Sequence, residues 1–241
     1  MTLILVLPTS EGIVIASDGQ VTTGLVRSTG QKIRRLNACC LWAASGELAL
    51  IQRVEERLKT LDIDASLEQL RDSICQIVRQ CVTELLQLDF RTGFLPQDPE
   101  VLLKLHPGDF VFAEFRSSPS VLHVWLNGTP EWITERLFAS GSGDMFAYAL
   151  LQKYQGCHLD MDRASLLAYK VLEEAIGVGA YGLGPPIDVW HITKDGVKQL
   201  GSEEKAALED SSQSLRQGEI KLLREAHLGV SDGEPQGGGL I

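Results

Sequence analysis

The chain begins with short apolar segments that lack helical periodicity. Residues 3–7 and 12–17 are rich in Val, Ile and Leu, and the polar stretch between them, residues 8–11, indicates a hairpin. A second pair of strands is predicted around residues 21–27 and 32–37, with a break at Ser28-Thr29-Gly30, and a fifth strand over residues 39–44. Five strands are therefore expected before any helix.

Helical periodicity follows directly. Residues 47–61 place apolar side chains on one face, and Ser66 with Gln69 forms a capping box that opens a second helix reaching about Leu88. Both helices carry a continuous apolar stripe, so we expect them to lie side by side on one sheet.

The second half of the chain repeats this order. After a Pro-containing loop over residues 91–108, strands are predicted at 109–116, 121–126 and 131–135, with Asn127-Gly128 as a hairpin turn. A helix pair over residues 143–154 and 163–176 and a strand over 187–193 follow. Because each apolar helix face must cover a sheet, this order predicts an α+β fold, a four-layer αββα sandwich.

The end of the chain has a different composition. Residues 202–227 are a charged helical segment, and residues 228–241 are a Gly-rich polar tail that we expect to be flexible. We therefore predict a domain over residues 1–200 and an appendage over residues 201–241.

Charge and cysteine usage exclude several classes of protein. The formal net charge is −10 and the pI is about 5.0, which argues against a nucleic-acid partner. The five cysteines form no paired motif, as expected in a reducing compartment, so we expect a cytoplasmic protein. No stretch approaches the roughly 18 apolar residues of a membrane span, and no cofactor or metal is expected.

Thr2 offers candidate chemistry. If Met1 is removed, the Thr2 hydroxyl stands beside a free α-amine, whose unperturbed pKa of about 7.7–8.0 lets it accept the hydroxyl proton near neutral pH. Taken alone, Thr2 is more simply a residue that starts a strand.

Several motifs give Thr2 a context. In order, they are Ala16-Ser17-Asp18-Gly19-Gln20-Val21-Thr22, Gln31-Lys32-Ile33-Arg34-Arg35-Leu36, Ala44-Ser45-Gly46, and Gly141-Ser142-Gly143 before the third helix. With Thr2, they make residues 2–200 resemble the proteasome β-subunit family, particularly the bacterial HslV-type N-terminal-threonine peptidases of the Ntn-hydrolase superfamily. The resemblance implies the αββα fold and a Thr2 nucleophile.

The resemblance also implies roles for four more residues. Lys32 matches the lysine whose positive charge lies near the threonine, and Asp18 matches the aspartate that pairs with that lysine. Gly46 matches a helix start whose N–H stabilises an oxyanion, and Ser142 matches a serine that bonds the threonine amine. The simpler interpretations are a solvated lysine, a turn aspartate, a helix entry turn and an N-cap serine.

Three departures from the family pattern stand out. The interval from Asp18 to Lys32 is two residues shorter, but an even deletion keeps Lys32 on the same face of its strand. Leu3 stands where a second threonine is common. Gly177 stands where the family usually has an aspartate that supports the threonine, which argues against efficient catalysis.

The resemblance implies a threonine-type endopeptidase in a self-compartmentalised homo-oligomeric ring of six or seven subunits, stacked in pairs. Peptides or unfolded proteins would be its substrates, and an ATPase unfoldase is a candidate partner. Two alternatives stay open: a noncatalytic ring or scaffold subunit, and an amidase of small molecules on the same fold.

Overall fold

A computed structural model describes residues 2–23, 26–89, 108–134, 136–179 and 182–225. The predicted tail over 228–241, nearly all of the loop over 91–108, and Met1 lie outside these ranges. Twelve strands are present in the described residues: β1 Leu3–Pro8, β2 Gly12–Ser17, β3 Gln20–Thr23, β4 Val26–Thr29, β5 Ile33–Arg35, β6 Cys40–Ser45, β7 Asp109–Phe115, β8 Pro119–Trp125, β9 Pro130–Ile133, β10 Phe138–Gly141, β11 Asp188–Thr193 and β12 Gly196–Gln199.

The strands form two five-stranded sheets and a hairpin. The first sheet has the order β10-β1-β2-β11-β12, the second has the order β5-β6-β7-β8-β9, and β3 pairs with β4 alone. Neighbouring strands are antiparallel in every case. Strand β1 lies between β10 and β2, so its N-terminal end is held from both sides.

The described residues also form five α-helices: α1 Leu48–Leu58, α2 Leu67–Glu84, α3 Asp144–Leu151, α4 Met161–Gly177 and α5 Ser202–Glu225. A π-helical turn over Leu85–Asp89 follows α2, and a 3-10 turn over Gln152–Tyr154 follows α3. The predicted capping box of α2 is confirmed, since Ser66 Oγ accepts from the Gln69 N–H at 3.4 Å and the Ser66 N–H donates to Gln69 Oε1 at 2.8 Å. Among the described residues, no helix is long and apolar enough to cross a membrane.

Three apolar cores fill the spaces between the four layers. One lies between the sheets and includes Ile4, Val6 and Val111. A second lies between the first sheet and α3 and α4, and a third lies between the second sheet and α1 and α2. This burial drives the stacking, because each sheet has one face for a helix pair and one for the other sheet. The predicted αββα sandwich is confirmed.

The predictions for the strands differ from the structure in two places, and six strands rather than the predicted five precede α1. Ser28 and Thr29, predicted as a break between strands, belong to β4 and pair with Val21 and Gln20. Strand β10 was not predicted at all, although it pairs with β1. The first error arose because Ser, Thr and Gly favour turns, whereas backbone pairing decides the conformation here.

Helix α5 lies along α4. Ser212 Oγ donates to Glu173 at 2.6 Å, Lys170 contacts Glu219, and Leu208 packs against the core beneath α4. The helix continues through Gly218. The division of the chain at residue 200 stays a prediction.

Candidate active site

Thr2 lies immediately before β1 and is buried, with 8% of its surface exposed. Leu3 and Leu5 face the α3 and α4 layer, whereas Ile4 and Val6 face the space between the sheets. Because side chains alternate along a strand, Thr2 lies on the inter-sheet side. Its hydroxyl therefore belongs to the end of the space between the sheets.

Asp18 connects the Thr2-Leu3 peptide to Lys32. Its side chain is fully buried, and Oδ1 accepts from Lys32 Nζ at 2.6 Å and from the Leu3 N–H at 3.0 Å. The ammonium and the Leu3 N–H share one carboxylate oxygen, so Lys32 lies beside the peptide bond that follows Thr2. Burial lowers the pKa of Lys32, and the charge and hydrogen bond of Asp18 oppose that effect only in part.

The loop over residues 182–184 holds the other side of Asp18. Asp18 Oδ2 accepts from the N–H groups of Gln20 and Gly184, each at 3.3 Å, and Gln20 Nε2 donates to the Gly182 carbonyl at 2.7 Å. A Cβ at Gly19 would lie 2.5 Å from the Pro186 carbonyl oxygen, so only glycine fits there. Sequence reasoning missed this loop, whose one signal was its clustered glycines and prolines.

Ser142 contacts both backbone groups of Thr2. Its Oγ accepts from the Thr2 N–H at 3.1 Å and donates to the Thr2 carbonyl at 3.3 Å. Gly141, which precedes it, has φ of +101° and lies so close to the Thr2 carbonyl that a Cβ would overlap it. The N-cap of α3 is Gly143, so the alternative interpretation of Ser142 as an N-cap is wrong.

Gly46 lies between β6 and α1, with φ of +118°. It is exposed, and among the residues that the structure describes its N–H has no acceptor. The N-cap Glu47 makes no side-chain cap, so the start of α1 presents unpaired N–H groups that can bind an anion.

Gly177 is the last residue of α4 and is exposed. A Cβ at this position would meet no atom within 4 Å. Here the surroundings would accommodate the carboxylate that the resembled family places at this position.

Four of the five predicted residues form one hydrogen-bonded chain, which runs from Ser142 through the backbone of Thr2 and Leu3 to Asp18 and Lys32. Gly46 is not bonded directly to it. No three His, Cys, Asp or Glu side chains within the described ranges are arranged to hold a metal ion. The arrangement combines a hydroxyl, a nitrogen that becomes an amine once Met1 is removed, and a buried cation.

Comparisons with known proteins concern the whole chain and its fold. No protein-family model matches the chain. The proteasome subunit beta of Nanoarchaeum equitans (strain Kin4-M) is 28% identical over 204 residues, which cover 83% of this chain and 97% of that one.

Two solved structures share the fold. Anbu (ancestral beta-subunit) from Yersinia bercovieri has a TM-score of 0.70 at 13% identity, covering 98% of this chain and all of its own. An Anbu (Gly-1) mutant from Hyphomicrobium sp. strain MC1 has a TM-score of 0.69 at 15% identity, covering 94% and 98%. The fold is that of proteasome-like subunits. The sequence match supports the resemblance to proteasome β-subunits.

Proposed function

We propose that the chain is a threonine peptidase whose nucleophile is Thr2 after removal of Met1. The observation that carries the proposal is the hydrogen-bonded chain around Thr2, in which Ser142 bonds its nitrogen and Asp18 ties the next peptide to Lys32. Burying such a charge pair is costly unless both partners are hydrogen-bonded, and a residue whose pKa is shifted by burial beside a specific charge partner is a candidate for a functional site.

In the proposed reaction, Thr2 Oγ attacks the carbonyl carbon of the scissile peptide bond and its proton passes to the α-amine. Ser142 Oγ accepts an N–H of that amine and so orients its lone pair. The Lys32 ammonium lies beside the N–H of Leu3, the residue that follows Thr2, and its positive charge would lower the pKa of the α-amine and favour the alkoxide. The negative charge on the carbonyl oxygen is stabilised by the N–H of Gly46.

The tetrahedral intermediate then collapses. The C–N bond breaks, the leaving amine takes the proton from the Thr2 ammonium, and an ester links the acyl group to Thr2 Oγ. Water attacks the ester, passes a proton to the α-amine, and releases the acid as Thr2 Oγ is reprotonated. All proton transfers use the α-amine, so no histidine is required.

We expect the subunits to form a closed ring of six or seven copies, stacked in pairs, that encloses Thr2 and admits peptides or unfolded proteins with the help of an ATPase unfoldase. Heterologous contacts that complete a rotation produce such rings. Multi-angle light scattering should give a mass several times the subunit's 26.4 kDa. A monomer at micromolar concentration would contradict the ring.

Catalysis is tested by two substitutions at one position. Thr2→Ala removes the hydroxyl and should abolish cleavage of a fluorogenic peptide panel, whereas Thr2→Ser keeps a hydroxyl and should retain part of it. Equal turnover by Thr2→Ala and the unchanged protein would refute the proposal.

Gly177 favours a second candidate, a noncatalytic ring subunit, because this exposed helix end supplies no carboxylate. The two candidates differ in a single result. A subunit that has lost Met1, assembles into rings and yet cleaves no peptide would be a scaffold rather than a peptidase.

A further inference from the structure

A second polar cluster, in which Ser45, Ser140 and His123 are buried and Asp109 is partly buried, lies at the end of the space between the sheets at the start of β7. Asp109 Oδ1 accepts from Ser140 Oγ at 2.5 Å and from Ser45 Oγ at 2.9 Å. Its Oδ2 contacts Nε2 of the buried His123 at 2.8 Å. A single carboxylate thus binds three side chains from three different strands.

The two serines belong to opposite sheets, and each precedes a residue of the candidate site. Ser45 ends β6 and is followed by Gly46. Ser140 lies on β10 opposite Ile4, and it is followed by Gly141 and Ser142. Asp109 therefore links the Gly46 loop to β10, which pairs with β1 and is followed by Ser142, the residue that bonds Thr2.

Packing supports the same loop. A Cβ at Gly108 would lie 2.5 Å from the Ser45 carbonyl oxygen and 2.9 Å from Gly46 Cα. Only glycine allows this approach, so residues 108 and 109 support the Gly46 loop through backbone contact as well as through the hydrogen bond to Ser45.

The cluster is built to keep Asp109 charged and fixed. Burial would raise the pKa of Asp109, but the hydrogen bond and electrostatic attraction of the His123 ring and the hydrogen bonds of Ser140 and Ser45 lower it below its ordinary value. His123 is itself held between the rings of Trp125 and Phe138, at centroid distances of 4.6 and 5.0 Å. Ionised acceptors make the stronger hydrogen bonds, so both serines are held firmly.

We propose that Asp109 is a positioning residue, which fixes the distance between the Gly46 N–H and the Thr2 hydroxyl by binding Ser45 and Ser140 across the two sheets. The inference rests on the proposed peptidase function. Asp109 touches no reacting atom. It acts on the step in which negative charge develops on the substrate oxygen.

The test compares two electrophiles on the assembled protein. A β-lactone acylates Thr2 through a tetrahedral oxyanion, whereas a peptide vinyl sulfone reacts at a carbon that carries no oxygen. Asp109→Ala should slow the β-lactone reaction and lower kcat by about 10- to 100-fold, as expected for a misplaced oxyanion donor. KM and the vinyl sulfone rate should change little.

Matched variants separate positioning from folding. Ser45→Ala and Ser140→Ala each remove one hydrogen bond to Asp109 and should reproduce a smaller selective loss, and they decide the matter if Asp109→Ala does not fold. Asp109→Asn keeps an acceptor oxygen for both serines but loses the charge, so it should restore part of the rate lost in Asp109→Ala. Asp72→Ala, which removes an exposed carboxylate on α2, should have no effect.

Three results would overturn the inference. Unchanged rates in Asp109→Ala and both serine variants would show that the cluster does not position the loop. Equal losses with both electrophiles would show a general structural role. If the unchanged protein reacts with neither electrophile, the proposed peptidase function fails, and the positioning role fails with it.

Discussion

Replacing Lys32 by Met should destabilise the protein strongly, because it leaves the fully buried Asp18 carboxylate without its cation. Breaking a buried ion pair by removing one partner typically costs about 3–5 kcal/mol. Asp18 keeps the backbone N–H donors of Leu3, Gln20 and Gly184, and Met fills most of the lysine volume. We therefore expect a loss near the lower limit, about 3 kcal/mol.

The assay is urea unfolding at pH 7 and a fixed subunit concentration, since assembly contributes to apparent stability. Lys59 provides the matched control. Its ion pair with Glu56 is 2.7 Å long, against 2.6 Å for Lys32 and Asp18, but both of its side chains are exposed. Lys59→Met should leave the unfolding midpoint unchanged within error.

A double variant tests whether the unpaired charge of Asp18 causes the loss of stability. Adding Asp18→Asn to Lys32→Met removes that charge, so the double variant should be more stable than Lys32→Met alone. A loss below about 1 kcal/mol in Lys32→Met, the range of exposed pairs, would refute the view that the pair is buried and mutually dependent.

Three further predictions concern single positions. Gly141→Ala should block labelling of Thr2, because its Cβ would overlap the Thr2 carbonyl, and normal labelling would contradict the assigned contact. The control Gly156→Ala is also at positive φ but has no atom near its Cβ, so it should cost only about 1–2 kcal/mol in unfolding free energy. Gly177→Asp fits the open space at the end of α4 and should raise kcat for peptides, and an unchanged kcat would show that this position does not serve the site. Burial lowers the pKa of His191 below its ordinary 6.5, so the imidazole of the unfolded chain binds protons more readily than that of the folded chain. The contribution of neutral His191 to folding stability is complete above about pH 6.5 and is lost as the pH falls toward the lowered pKa. His191→Gln should therefore flatten the fall in urea midpoint between pH 7 and pH 5, and an unchanged slope would contradict this prediction.

Local patterns predicted most of the layers because apolar periodicity is a property of neighbouring residues. The capping box at Ser66, the stripe of α2 and the hairpin of β1 and β2 follow from residues within a few positions of each other. Strand β10 was not predicted, because Phe138-Ala139-Ser140-Gly141 is short and consists mostly of small residues. Its conformation comes from pairing with β1, more than 130 positions earlier in the sequence.

The candidate site likewise has a part that sequence motifs predict and a part that depends on contacts between distant residues. Thr2, Asp18 and Lys32 were predicted through the resemblance of ordered motifs, and in the structure Asp18 bonds Lys32 and the Leu3 N–H that follows Thr2. The contact of Gly184 with Asp18 was not predictable, because these residues are 166 positions apart and neither carries a pattern that names its partner. The bonds of Asp109 to serines on both sheets likewise depend on how the sheets stack.

The most direct test of Thr2 as an N-terminal nucleophile is mass spectrometry of the native protein before and after treatment with a β-lactone. We expect an intact mass that lacks Met1, N-terminal sequencing that starts at Thr2, and a single adduct per subunit that maps to Thr2. Retention of Met1 in the assembled protein, or the absence of any adduct on Thr2 in protein that has lost Met1, would contradict the proposed mechanism.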